Sequence, residues 1–168
     1  KNKSYCYFGF IFLILSFYTI YELIDYSGDY TYFLAITLIC VSTDVGGYTF
    51  GKIFKGPKLT KISPNKTYSG MIGGFFFSIL FVVITIHTPF IFSNKSDISI
   101  DLLIFIILIS TVSQLGDITI SFFKRLSKIK DTGKIIPGHG GLLDRVDGMI
   151  FAFPFSYLIL FSNLFNKF

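Results

Sequence analysis

Tryptophan is absent from this 168-residue chain, and cysteine and methionine occur only twice each. Cys6 and Cys40 both fall inside apolar runs. Two such residues cannot make a disulfide framework or a metal-ligand spacing, and they read as buried thiols packing as small hydrophobes. Charge is scarce too: 15% of residues are charged, against about 25% in an average globular protein. A disordered chain is excluded, because disorder goes with high charge and few aromatics, and this chain has 22 Phe and 10 Tyr. Hydrophobic types make up 52%, more than a soluble domain of this size can keep from water. The solvent of this chain is therefore largely lipid, with no nucleic-acid partner expected. Its 15 basic and 10 acidic residues, net +5, matter by where they sit.

A helix needs about 20 mostly apolar residues to cross a hydrocarbon core of roughly 30 Å. Tyr5–Leu23 has that length, and no small-residue cleavage site precedes Glu22–Asp25, so it reads as a retained span rather than a secretory signal. The second apolar stretch begins near Tyr30 and must run on past Asp44 to span. A third extends from Met71 to about Phe92, with His87 and Pro89 near its end; a fourth covers Ile98–Leu115 and a fifth Met149–Phe165. The expected fold is all-α: a polytopic membrane protein with about five transmembrane helices, forming one integral-membrane domain over residues 1–168.

The loops orient it. Lys52, Lys55, Lys58, Lys61 and Lys66 lie between the second and third spans. Lys124, Arg125, Lys128, Lys130, Lys134 and Arg145 lie between the fourth and fifth, together with Asp131, Asp144 and Asp147. The other two loops are mainly acidic. Excess Lys and Arg marks cytoplasmic loops, so both basic loops are expected there, and both adjoin unusual carboxylates.

Asp117 lies just past the expected end of span four, and Asp144 and Asp147, three apart, share one helix face. Hard cations such as Mg²⁺ take one or two carboxylates plus substrate phosphates. Asp117 with Asp144 could supply that pair, with Asp147 beside them; equally, these acids could simply pair with Arg145, Lys124 or Arg125. Lys124, Arg125 and Lys128 fall on a helix expected to begin near Ser121, where they suit phosphate or anionic lipid. In the string Pro137–Gly141, glycines flank His139 and permit close backbone approach to a ligand, and successive N–H groups can form an anion nest. His139 could bond a phosphate, move a proton or fix the turn; His87 reads as structural. Asp44 precedes Gly46-Gly47 at membrane depth, where ionisable residues are functional candidates. Ser63, Asn65, Lys66 and Thr67 cluster before span three, either as ligands or as a capped turn. Gly70, Gly73 and Gly74 suit close helix packing.

These residues resemble a known family. The segment Ser121–Asp147, SFFKRLSKIKDTGKIIPGHGGLLDRVD, is similar to the signature of phosphatidate cytidylyltransferases (CDP-diacylglycerol synthases) at Ser121, Lys124-Arg125, Lys130-Asp131, Gly133, Pro137 to Gly141, Asp144-Arg145 and Asp147. DVGGYTFGKIF and SPNKTYSG upstream resemble that family's segments too. The chain departs from the family pattern at Ser69, where Glu is usual, at Tyr68, where Trp is usual, and at Asn65, where Lys is common.

The resemblance implies a multi-span enzyme of the bacterial inner membrane, facing the cytoplasm, that joins CTP and phosphatidate into CDP-diacylglycerol and pyrophosphate. It implies Mg²⁺ as cofactor, with K⁺ a further candidate, held by Asp117 and Asp144. The implied catalytic set is Asp117, Lys124, Arg125, His139, Asp144, Arg145 and Asp147. Substrate contacts are expected at Asp44, Ser63, Lys66, Ser121, Lys130, Asp131, Gly138, Gly140 and Gly141. Because family members carry more N-terminal spans and this chain starts at Lys1, further spans are expected before it; a homodimer is a candidate assembly. The alternatives are a CTP-dependent lipid-alcohol kinase and a non-enzymatic transporter or lipid-binding protein.

Overall fold

A computed structural model describes residues 3–60, 63, 66–86, 98–129, 131–133, 141 and 143–162. Among these residues the chain is helical: α1 (Lys3–Ser27), α2 (Thr31–Phe54), α3 (Tyr68–Ile86), α4 (Ile100–Leu126), the single turn α5 (Leu143–Val146) and α6 (Met149–Phe161). The extended backbone described amounts to an isolated bridge between Lys58 and Thr67. Helices α1 to α4 are long and apolar enough to cross a membrane, and α6 is a shorter apolar helix of 13 residues. At ~1.5 Å per residue, the 19 residues of α3 reach roughly 28 Å, close to a hydrocarbon core. Phe8, Phe17, Phe76, Ile84 and Leu158 point outward and are exposed. In water they would form a sticky patch; against lipid tails they are at home.

α2 runs past Asp44, to Phe54, as the length rule requires. Two other boundaries differ from expectation for physical reasons. α4 passes Leu115 and continues to Leu126. Gly116 does not stop it, because that glycine is a packing contact: a Cβ there would lie 2.8 Å from the Phe151 ring of α6. The helix expected to begin at Ser121 is therefore the last part of α4. α3 starts earlier than Met71, because Thr67 caps it by accepting a hydrogen bond from Gly70 N at 3.1 Å. His87 and Pro89 lie outside the described residues.

Packing without a hydrophobic drive between helices relies on small residues and shared polar groups. α2 and α3 meet backbone to backbone. A Cβ on Gly46 would run into Gly73 O and one on Gly73 into Phe50, while one on Gly70 would sit 2.6 Å from Gly47 O. Thr43 of α2 donates to Ser110 of α4 at 2.8 Å inside the bundle. Ile36, Ile39 and Cys40 of α2, Ile106 and Ile109 of α4, and Ala152 and Phe153 of α6 complete the core. Cys40 is a buried free thiol, as its apolar setting in the sequence led us to expect.

α6 contains Pro154, which has no N–H to give to the carbonyl four residues back. That orphan is Ile150 O, and Ser16 of α1 reaches it at 2.8 Å. The same hydroxyl lies 2.9 Å from Phe12 O, so one proton serves two acceptors. Ser16→Ala is expected to destabilise the protein by about 1–2 kcal/mol, since a buried carbonyl loses its donor. In a double-mutant cycle followed by thermal unfolding in detergent, Pro154→Ala should erase most of that penalty, because the alanine supplies the missing backbone N–H. Equal penalties for Ser16→Ala in both backgrounds would show that Ser16 serves Phe12 instead.

Candidate active site

The uninterrupted α4 gathers the site. Gln114, Asp117, Ser121 and Lys124 follow one another at spacings of three, four and three, which places them on one helical face. The connection before α3 brings in Lys66, whose ammonium lies 3.0 Å from Asp117 Oδ2 and 3.4 Å from Gln114 O. The chain following α4 returns through α5, where Lys124 Nζ donates to Asp144 Oδ1 at 3.0 Å and stands 3.5 Å from Asp147 Oδ2. The result is a row of alternating and paired charges from Lys66 through Asp117 and Asp147 to Lys124 and Asp144. Every member is largely shielded: side-chain exposure runs from 10% at Asp144 to 28% at Lys66.

Asp144 is saturated. Its Oδ2 accepts Gly141 N at 2.8 Å and Thr132 N at 2.9 Å, and its Oδ1 accepts Lys124. Burial alone would raise this carboxyl, but the two amides and the ammonium hold it down at about 2. The Gly141 end of the expected anion nest is thus occupied by a carboxylate of the chain itself. Gly141 has to be glycine here, because a Cβ would lie 2.8 Å from Gly133 N.

Asp117 and Asp147 form the opposite case. Asp147 lies near enough to Asp117 to feel its charge, while its Oδ2 stands 3.5 Å from Lys124 Nζ. Burial first, and then the Asp117 charge, push Asp147 up to about 8 against the pull of Lys124. A cation placed beside the two carboxylates would offset their mutual repulsion. Asp117 Oδ1 is buried and has no hydrogen-bond partner among the described residues, and neither has the neighbouring Ser113 Oγ. Both oxygens lie against Gly148, where a Cβ would come within 2.8 Å of Asp117 Oδ1.

The structure brings together Lys66, Asp117, Lys124, Gly141, Asp144 and Asp147 from the expected set, and Ser121 lies on the same face of α4 by its spacing. Asp44 lies on α2, near enough to interact electrostatically with Asp117 and Lys66. Ser63 O accepts Lys66 N at 3.1 Å, and Ser63 so shapes the turn that carries the lysine. Arg125 is exposed, and its Nη1 donates to Ile129 O at 3.4 Å; Lys128, Asp131 and Arg145 are exposed as well. Lys130, Gly138, His139 and Gly140 lie outside the described residues. Three contributors escaped the reading of the sequence: Ser113, Gln114 and Gly148. The signal for the first two was present, since residues three and four before Asp117 share its face once α4 is read through Gly116.

The donor set suits a hard divalent cation. It is all oxygen, it holds a partnerless buried carboxylate oxygen, and it sets two carboxylates side by side. Among the described residues no group of three or more His, Cys, Asp or Glu side chains is placed to hold a metal ion by itself. Mg²⁺ needs none, because it keeps waters and takes phosphate oxygens from its substrates.

Membrane-length helices with a shielded carboxylate–lysine centre at the end of one of them define a polytopic protein whose site suits phosphate groups and a hard cation. The model of the cytidylyltransferase family matches residues 2–163, and the chain belongs to that family. It is 36% identical over 163 residues to a phosphatidate cytidylyltransferase of Staphylococcus saprophyticus, covering 95% of this chain and 59% of that protein. It is 37% identical to the phosphatidate cytidylyltransferases of Staphylococcus epidermidis, over 166 residues, and Staphylococcus aureus, over 164 residues; each match covers 96% of this chain and 60% of the relative. The chain thus spans about 60% of the length of the curated relatives it matches.

Proposed function

We propose that the chain carries the catalytic centre of a phosphatidate cytidylyltransferase, transferring the CMP moiety of CTP to phosphatidate at the cytoplasmic face of a bacterial inner membrane. The observation that carries this reading is the shielded array of Lys66, Asp117, Asp147, Lys124 and Asp144 at the end of α4. The relatives' names point the same way.

The reaction is a displacement at phosphorus. An oxygen of the phosphatidate phosphate bonds to the α-phosphorus of CTP, the bond from that phosphorus to the bridging oxygen breaks, and pyrophosphate leaves with the electron pair. A phosphate monoester is already anionic near neutral pH, so no strong base is required. The task left to the protein is positioning and charge neutralisation. Asp117, with Asp147 beside it, would hold Mg²⁺, which would supply neutralisation of phosphate charge; Asp144, the other expected ligand, could join only by giving up Lys124 or a backbone amide. Lys66 and Lys124 present ammonium groups from opposite sides of the carboxylates, placed to meet phosphate oxygens of two different substrates. Arg125 and Arg145 are exposed at the rim, where their guanidinium forks suit incoming phosphates. By the family resemblance, Gly138, His139 and Gly140 are further candidates for contact with a substrate phosphate. A site at the end of a membrane-spanning helix allows the lipid substrate to arrive laterally from the bilayer while CTP arrives from water.

CTP labelled at the α- or the γ-phosphate tests this reading in the full-length protein. Label should enter the lipid product from the α position only. Entry of γ-label would identify a lipid kinase and exclude cytidylyl transfer.

A further inference from the structure

The lysine that meets Asp117 is delivered by a short connection between α2 and α3, and that connection is tied by a directional chain of hydroxyls. Gly70 N donates to Thr67 Oγ1 at 3.1 Å. Thr67 Oγ1 lies 3.0 Å from Ser69 Oγ, and Ser69 Oγ donates to Lys55 O in a short contact. Since Ser69 gives its only proton to Lys55 O, the hydrogen between the two hydroxyls must come from Thr67. Each donor is used once, from the start of α3 back to the end of α2. Lys55 sits at φ 53 and Gly56 at φ 102, and a lysine keeps such a left-handed backbone only where its surroundings hold it. Further along, Leu59 N donates to Lys66 O at 2.8 Å, Tyr68 N to Pro57 O at 3.2 Å and Lys66 N to Ser63 O at 3.1 Å. The backbone of Lys66 is therefore pinned on both sides, and its side chain crosses to α4.

We infer that Ser69, acting through Thr67, is a positioning residue that sets the Lys66 ammonium against Asp117. It touches neither carboxylate nor substrate; it fixes the turn from which Lys66 reaches across. The value of that placement for catalysis rests on the cytidylyltransferase reading above, but the placement itself can be tested without it.

The test is amine footprinting of the full-length protein in detergent: brief acetylation with sulfo-NHS-acetate, read by peptide mass spectrometry, with exposed Lys52 as internal reference. In Ser69→Ala, acetylation of Lys66 should rise several-fold while Lys52 stays constant, because Lys66 leaves Asp117 more often. Ser69→Thr keeps the hydroxyl and should restore the wild-type rate. In parallel, Ser69→Ala should lower kcat for cytidylyl transfer about tenfold, short of the ~10²-fold that a full 1 Å misplacement costs, with KM for CTP nearly unchanged and Ser69→Thr near wild type. A Lys66 rate in Ser69→Ala equal to wild type overturns the inference, and so does failure of Ser69→Thr to restore it. If the wild-type protein transfers no cytidylyl group, the functional reading fails while the footprint still decides the role of Ser69.

Discussion

Asp117→Asn is expected to lower CDP-diacylglycerol formation on the order of 10³-fold, the scale of losing a preorganised electrostatic group at a reacting phosphate. Its carboxylate joins the two halves of the site. Oδ2 receives Lys66 at 3.0 Å from the α2–α3 side, and Oδ1 is buried with no partner among the described residues. An amide of the same shape removes the charge that pairs with Lys66 and turns one oxygen into a donor, which cannot bind a cation. Folding should survive, because Lys66 remains part-exposed at 28% and can find water. The check is labelled-product formation together with thermal unfolding: activity nearly abolished and a melting temperature close to wild type.

Gly148→Ala is expected to lower kcat about 10²-fold, through geometry rather than charge. A Cβ at this position would stand 2.8 Å from Asp117 Oδ1 and 2.9 Å from Ser113 O, and real carbon contacts are not that short. Ser113 O belongs to the backbone of α4 and cannot step aside, so either the turn before α6 retreats or Asp117 swings away from Asp147. Gly9→Ala is the matched control, because a Cβ there meets nothing within 4 Å and activity should be unchanged. Steady-state kinetics on the two variants separates a general intolerance of alanine from a local clash at the site.

Much of the architecture was readable from hydrophobic run length, because lipid imposes a length rule that few other environments do. The continuation of α2 past Asp44 followed from that rule alone, since the apolar run before it is too short to span. The end of α4 did not follow. Gly116-Asp117 looks like a loop start by ordinary turn chemistry, yet between helices a glycine is more often where a neighbour presses in, and here the neighbour is Phe151. That misreading also hid Ser113 and Gln114, which become visible once the helix is continuous. The pairing of acids was hidden for a related reason. A spacing of three placed Asp144 and Asp147 on one side, and both do meet Lys124, although α5 itself ends at Val146. Asp147 also feels the charge of Asp117, whereas Asp144 accepts the backbone amides of Thr132 and Gly141. Which carboxylate faces which depends on where a four-residue helix stops, and no pattern in the chain announces that. The bond from Ser16 to the carbonyl freed by Pro154 joins residues far apart in the chain, so only the packing of α1 on α6 reveals it.

The most direct test of a nucleotidyl-transfer centre built on Asp117 is the stoichiometry of pyrophosphate release by the full-length protein, with CTP, phosphatidate and Mg²⁺ supplied together and then with each left out. The expected result is equimolar pyrophosphate and CDP-diacylglycerol when all are present, and neither product when phosphatidate or Mg²⁺ is omitted. Pyrophosphate released without phosphatidate, or lipid product formed at the full rate without a divalent cation, would contradict it.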